Sequence, residues 1–363
     1  MPGGRPLRRP RPVASPGPDR GDRLGPARRA LAAAAGCARP AACAPRRPGP
    51  GRRPRPAAGA AQGHQDLVRD GPWLGLDIGG SRSRARLVAG ELVVAEAEAP
   101  GANAVALSAA LVEGRLTALL GRLDGPRPAV CCAGAAGAEV PEAKELYDRL
   151  LGGLLPGCKV IVVHDTRLVL AAAGLDEGIA LVAGTGSVAY GRASGGREAM
   201  VGGWGWLLGD DGGGAWLVRE AAREVLRRLD AGDSPGILGE RLLAAAGAAD
   251  RHQLAGHLHR LREPRRWAAL APVVFEAAPA DEAAAAVVDR AGAALSALVD
   301  GIRARVGIEG PVVLAGGLLL KQPALEAAVR LRLGEGPVRL QEPPVAGAVR
   351  LARLARFGAV DQL

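Results

Sequence analysis

Two apolar runs, WLGLDIGG at 73–80 and GIALVAGTG at 178–186, each end in a glycine turn, and each opens the same succession of patterns. After the first, RARLVAG and ELVVAEAEA alternate polar and apolar residues, which predicts three strands in an antiparallel meander over 73–99. A helix is expected over Asn103–Leu123 with Asn103 as its capping residue, then a buried strand at Pro128–Ala135 and a helix at Pro141–Leu155. KVIVVHD at Lys159–Asp165 reads as another buried strand and Thr166–Gly174 as a helix. After the second run, SVAYGRA and REAMVGG form a second meander. Ala-rich helices then fill 214–307, a strand follows at Pro311–Gly317, and a last helix runs from about Pro344 to Arg356. Strands alternating with helices imply an α/β protein whose sheets have parallel members. The repeated order implies internal duplication, with two similar domains and a cleft between them.

A chain of 363 residues, 48% hydrophobic, can build a full core. Its net charge of +10 raises nucleic acid as a partner, but the charge is unevenly placed. Residues 1–72 hold 15 arginines, no lysine and four aspartates, whereas the remainder holds 32 basic and 33 acidic side chains. The 1–72 leader is Arg, Pro, Gly and Ala with almost no large apolar residue, so it is expected to be disordered. A transit peptide or an RNA-binding tail are alternatives for it; a nucleic-acid role for the ordered part is disfavoured. No run of apolar residues approaches membrane-spanning length. The five cysteines show neither a CxxC nor a Cys/His spacing, which fits a reduced, cytoplasmic protein without a structural zinc.

Four segments carry the residues suited to chemistry. In DIGGS, Asp77 ends a buried strand, Gly79 and Gly80 allow close backbone approach, and Ser81 adds a hydroxyl, a combination able to hold an anion with a hydrated cation. A hairpin turn explains it equally well. AGTGS places Gly184, Thr185, Gly186 and Ser187 at the tip of the corresponding strand in the second repeat, where amides and two hydroxyls could bind phosphate. It is neither a Walker loop nor a dinucleotide-binding turn, because a strand follows it. Asp165 ends an apolar strand and is a candidate general base, or else a cap of the helix behind it. Alternation places the neighbouring His164 on the opposite face, as a packed histidine. AGG, with Gly316 and Gly317, ends the late strand, and GGWGWLLGDDGGG at 202–214 concentrates glycines, two tryptophans and paired aspartates in a chain with 2% aromatic residues.

Together these segments resemble the acetate kinase, sugar kinase, Hsp70 and actin superfamily. More narrowly they resemble N-acetylglucosamine kinases that share the BadF/BadG/BcrA/BcrD ATPase domain, over about residues 73–356. DIGGSRSRARL is similar to the first phosphate loop, AGTGSVAYG to the second and VVLAGGL to the adenosine segment. GGWGWLLGDDGGGAWLVREA is similar to the GGWGxxxGDEGSxxW block of this branch. The resemblance implies two ribonuclease H-like, actin-like ATPase domains at 73–174 and 175–343. Each would be a mixed five-stranded sheet flanked by helices, with helix 344–358 packing back on the first.

By the same resemblance, ATP and Mg²⁺ are used to phosphorylate a hydroxyl of a small-molecule amino sugar, N-acetylglucosamine or glucosamine foremost, with Asp165 as catalytic base and Asp77 as the Mg²⁺-linked carboxylate. Gly79, Gly80, Ser81, Gly184, Thr185, Gly186 and Ser187 would hold the phosphates, and Gly316 and Gly317 the adenosine. Asn103, Gly203, Trp204 and Asp210 would contact the sugar. Ser81 and Arg82 stand where the family usually has Thr and often Lys, and Asp211 replaces the usual Glu. The resemblance leaves open which amino sugar and which hydroxyl is phosphorylated, and is compatible with a homodimer. Two further readings are an activator ATPase of a 2-hydroxyacyl-CoA dehydratase, which needs a cysteine-held iron–sulfur cluster, and a non-catalytic sugar or nucleotide sensor. Cys131 and Cys132 adjoin within one predicted strand and so point to opposite faces, which disfavours the cluster.

Overall fold

β1 (Trp73–Ile78), β2 (Arg82–Ala89), β3 (Leu92–Pro100), β4 (Val130–Ala135) and β5 (Lys159–His164) form one mixed sheet in the order β3-β2-β1-β4-β5. β2 and β3 run antiparallel to their neighbours, while β1, β4 and β5 are parallel. The second sheet repeats the plan. β6 (Gly178–Ala183), β7 (Ser187–Arg192), β8 (Glu198–Gly202), β9 (Val312–Ala315) and β10 (Val338–Arg339) lie in the order β10-β9-β6-β7-β8, with β6, β9 and β10 parallel. The expected pair of mixed five-stranded sheets is therefore present. This computed structural model describes residues 71–334 and 336–356, which fall within one compact unit. The leader expected to be disordered lies, but for its last two residues, outside the described residues.

The helices are α1 (Ala109–Leu120), α2 (Pro141–Leu154), α3 (Arg167–Ala172), α4 (Gly214–Asp230), α5 (Gly236–Ala246), α6 (Arg251–Arg260), α7 (Pro264–Ala268), α8 (Ala271–Ala277), α9 (Glu282–Val306), α10 (Gly317–Lys321), α11 (Pro323–Leu333) and α12 (Pro344–Arg356). Two expectations need correction. The helix foreseen from Asn103 begins at Ala109, with Ser108 at the cap position. Asn103 instead folds its own loop, its Oδ1 accepting the Val105 N–H at 2.8 Å, a local bond that competes with helix entry. β5 is apolar yet only Val162 is fully buried, because the strand lies at the sheet edge.

Alternation along β1 divides the first core in two. Leu74, Leu76 and Ile78 pack with Leu116 of α1 and Tyr147 of α2, while Trp73 on the other face joins Leu168 of α3 and Ala348, Val349 and Ala352 of α12. Cys131 and Cys132 follow the same rule, one in each core, both buried.

Helix α3 is the pivotal element. Leu168 and Ala171 belong to the first sheet's core, whereas Val169 and Leu170 pack with Ala180, Val313 and Ala315 of the second sheet. Each such leucine, fully buried, contributes about 1.5–3 kcal/mol. α12 crosses α3 so closely that a methyl group at Gly347 would come within 2.1 Å of the Leu168 carbonyl oxygen. The start of α3, where Asp165 and Thr166 sit, is thereby fixed at the junction of the two sheets.

Candidate active site

The parallel strands β1, β4 and β5 present their C-terminal ends side by side, with Asp77 in register with Gly134 and Gly134 with Val163. Asp77 points from β1 toward the α3 side of the sheet, the face also used by Trp73. Asp165 leaves β5 just beyond its end. Both carboxylates line one cavity of about 450 Å³, together with Arg84, Thr166, Ala315, Gly316, Gly317, and Gln341 to Pro344. The cavity walls thus come from both sheets and from the segment that enters α12.

Its electrostatics follow from that placement. Burial pushes the Asp77 carboxyl up to about 7, the negative charge of Asp165 adds to the effect, and Arg84 opposes it. Burial also raises Asp165, against the opposing influence of His164. Two carboxylates that each disfavour the other's ionisation form a site that gains from a cation between them.

The first glycine turn stands beside this wall. Gly79 N–H donates to Arg82 O at 3.0 Å, and the 101–102 segment docks on the turn through Gly101 N–H to Ser81 O and Ala102 N–H to Gly79 O. Gly80 and Ser81 are exposed, and a side chain at Gly80 would meet open space. Asn103 follows directly, within reach of the Gly137 turn. Tyr147 staples these pieces: its buried hydroxyl accepts from Ala104 N–H at 2.8 Å and donates to Ala102 O at 2.8 Å, with Ala136 O at 3.1 Å.

The second glycine turn is built against the unusual glycine-rich stretch. Gly214 N–H donates to Gly184 O at 2.9 Å and Ala215 N–H to Thr185 O at 3.0 Å, so the first turn of α4 clamps the loop. Asp210 adopts a left-handed backbone at φ 58° and lays its carboxylate on Gly186, where a methyl group would lie 2.1 Å from Oδ2. The Ser187 and Gly205 N–H groups hydrogen-bond that carboxylate, while burial, the larger influence, raises its pKa. Asp210 therefore braces the second loop, apart from the cavity wall that Asp77 and Asp165 share. Ser187 was expected to offer its hydroxyl to phosphate, but it is buried and donates to Asp211 O at 2.7 Å. Gly316 packs on the base of the same loop, its α-carbon so near Ala183 that a methyl would sit 2.2 Å from the carbonyl oxygen. Gly203 closes β8, with its N–H on Ser187 O at 3.0 Å. Trp204 beyond it stands 71% exposed, with Leu207 and Leu208 also exposed. Trp206, by contrast, packs against Trp267 at 6.0 Å between ring centroids.

Three residues of this region escaped the sequence reading. Arg84 lines the cavity, and its β2 register opposite Asp77 was the signal for it. His164 was expected on the far face as a packed residue, yet its Nδ1 lies 3.2 Å from Asp165 Oδ1 and its Nε2 3.1 Å from Glu139 Oε2. Alternation stops binding at the strand's last residue, and the chain turns back there. Glu139, on the turn between β4 and α2, had no local signal. Among the described residues no group of three or more His, Cys, Asp or Glu could hold a metal by itself.

Two five-stranded sheets of one plan, with an acidic cavity whose walls come from both, have the architecture of the actin-like ATPase fold. The family model described as the BadF/BadG/BcrA/BcrD ATPase family matches residues 74–352, and the chain belongs to that family. Among curated relatives, the N-acetylmuramic acid/N-acetylglucosamine kinase of Clostridium acetobutylicum is 34% identical over 131 residues, covering 36% of this chain and 42% of the relative. The chain thus aligns with less than half of that protein's length. The N-acetyl-D-glucosamine kinase of Dictyostelium discoideum is 25% identical over 214 residues, 56% of this chain and 67% of the relative. A crystal structure from Chromobacterium violaceum, described as a candidate N-acetylglucosamine kinase, superposes with a TM-score of 0.66 at 27% identity, covering 78% of this chain and 99% of that one.

Proposed function

We propose that this chain transfers the terminal phosphoryl group of ATP to a hydroxyl of an amino sugar, N-acetylglucosamine or a close relative. The observation that carries the reading is the single cavity shared by Asp77, Asp165 and the Gly316–Gly317 turn. The names of the relatives supply the sugar class.

In this reading Asp165 accepts the proton of the attacking sugar hydroxyl, and the upward shift of its pKa makes its carboxylate the stronger base for that task. The 79–81 and 184–187 turns flank the phosphates with backbone amides, and Gly316 and Gly317 leave room for the adenosine. Ser187 acts by holding the shape of its turn, since its hydroxyl is engaged with Asp211 and its N–H with the Asp210 carboxylate. Asn103, Gly203, Trp204 and Asp210 lie around the sugar, Asp210 by shaping the second loop. Magnesium suits the donor set, because it takes one or two carboxylates with waters and phosphate oxygens, and it would supply charge neutralisation on those oxygens. Asp77 would hold it, relieved of its repulsion with Asp165. We assign 73–174 and 175–343 as the two functional domains, with α12 joined to the first. The cysteine-held cluster of the activator reading finds no support, since Cys131 and Cys132 are buried on opposite faces of β4.

The test is ADP release by the full chain with ATP and Mg²⁺ over a panel of amino sugars and hexoses. We expect turnover on N-acetylglucosamine or a near relative, and Asp165→Asn to reduce kcat at least ~10²-fold. Turnover on no sugar of the panel, or an Asp165→Asn variant as active as the parent, would refute the reading.

A further inference from the structure

We propose that a second cavity, on the face of α3 turned away from Asp77, binds a small organic oxyanion: a phosphate monoester or a carboxylate with an apolar body. The inference goes beyond the kinase reading and uses no part of it.

The two cavities share α3 as a wall. Val169 lines the cavity of Asp77 and Asp165, whereas Arg167, Leu170 and Ala171, on the opposite side of the helix, line the second. The second cavity has a volume of about 870 Å³, within the range of about 300–1,000 Å³ usual for small-molecule sites. Besides α3, its walls come from α12, the 175–177 connection and the turn between β7 and β8. Elements of both sheets therefore surround it.

Its charges are sorted by depth. Arg167 and Arg192, at the end of β7, have side chains only 7% and 13% exposed, and Glu198 Oε1 lies 3.6 Å from each guanidinium. Glu198 opens β8 directly across the ladder from Arg192 and is itself 35% exposed. The remaining acidic groups of the lining, Asp176 and Glu177, are exposed, and Asp176 lies 3.6 Å from Arg350. An entering ligand thus meets two guanidiniums in the interior and carboxylates toward solvent.

Buried guanidiniums need anions beside them, and their planar forks of donors match an oxyanion that offers two or three equivalent oxygens. In the free protein Glu198 is an anion common to both. At 3.6 Å its contacts are ion pairs too long for hydrogen bonds, so the carboxylate stands near the arginines without directed bonds to them. Being partly exposed, it can turn to water when a ligand's oxyanion takes its place. The rest of the wall selects the body of that ligand. Leu170, Leu175, Leu351 and Leu354 face the same space, and the turn at Gly195 and Gly196, left-handed at φ 77° and 78°, adds backbone without side chains.

The probes are phenyl phosphate and benzoate, which share a ring and differ in the oxyanion, with phenol as the uncharged control. Each is titrated calorimetrically into the full chain with Mg²⁺ and a non-hydrolysable ATP analogue present, which keeps phosphate-binding turns elsewhere from competing for the probe. We expect saturable binding of at least one anion and none of phenol, the tighter anion identifying the preferred head group. Arg192→Met keeps the length of the side chain and removes its charge. It should weaken binding ~10-fold or more, the scale of a hydrogen bond to a charged group. Glu198→Gln removes the competing carboxylate and should tighten binding by a factor of ~3 or more. That gain cannot arise from damage to the fold, so it carries the test even if Arg192→Met does not fold. Failure of both anions to bind, equal binding of phenol, or an affinity that Glu198→Gln leaves unchanged would overturn the site. A chain that phosphorylates no sugar of the panel would leave each of these expectations in place.

Discussion

Single residues in this protein carry conflicts that only a ligand or a neighbour resolves. Asp77 is the clearest. Its carboxyl is raised from 3.8 to about 7 in the folded protein, so between those values the native state holds a proton that the unfolded chain has released. Stability contributed by the neutral form is complete below 3.8 and is lost as pH rises through about 7. Asp77→Asn removes that loss. In metal-free buffer the variant should be more stable than the parent at pH 8, by on the order of 2–4 kcal/mol and so with a higher Tm, the gain vanishing toward pH 4. Equal Tm values at pH 8 would show that Asp77 is not held in an unfavourable site. A second conflict is steric. A methyl at Gly186 would meet the Asp210 carboxylate at 2.1 Å, so Gly186→Ala should destabilise by about 1–3 kcal/mol. If that contact is the cause, Gly186→Ala combined with Asp210→Ala should cost less than the sum of the two single changes by at least ~0.5 kcal/mol in a denaturation cycle. The sequence marked both residues as unusual but assigned them separate tasks. Their contact depends on a left-handed backbone at Asp210, which no local pattern announces.

At the scale of elements, the crossing of α3 and α12 decides where Asp165 stands. A side chain at Gly347 would collide with backbone, the Leu168 carbonyl oxygen at 2.1 Å and the Ala172 nitrogen at 2.6 Å, neither of which can rotate away. Gly347→Val should therefore lower the urea midpoint sharply, by 3 kcal/mol or more on the scale of severe overpacking, about what several lost core contacts would cost. Gly152→Ala is the matching control. It lies in α2 with open space around it, so the change should stabilise by roughly 0.5–1 kcal/mol through helix propensity alone. The strands were legible because their apolar runs end in glycine turns, and α2 because Pro141 opens it. The start of α1 was misplaced because two capping residues compete, and the Asn103 side chain bonds its own loop while Ser108 stands at the cap position. The edge position of β5 was hidden for a related reason, since an apolar strand reads alike whether one flank or both are covered.

At the scale of the whole molecule, the described residues form two copies of one sheet plan joined by α3 and α12, and the cavity of Asp77 and Asp165 draws on both. A nucleotide bound there must stabilise the two sheets together. With Mg²⁺ and an ATP analogue at a hundredfold its Kd, a single unfolding transition should shift by about 2.7 kcal/mol. Two transitions, only one of them shifted, would mean that the ligand engages a single lobe. The sequence alone determined the duplication, the glycine turns and the acidic strand ends, because each is local: a run of apolar residues, a residue without a side chain, a charge at the end of a strand. Only the tertiary structure decided which of these meet. It placed Asp165 with Asp77 across β4, turned Asp210 onto the second loop, and brought Glu139 and His164 behind the proposed base. Such meetings depend on how parallel strands align and how helices cross, and those distances are set by packing between residues far apart in the chain.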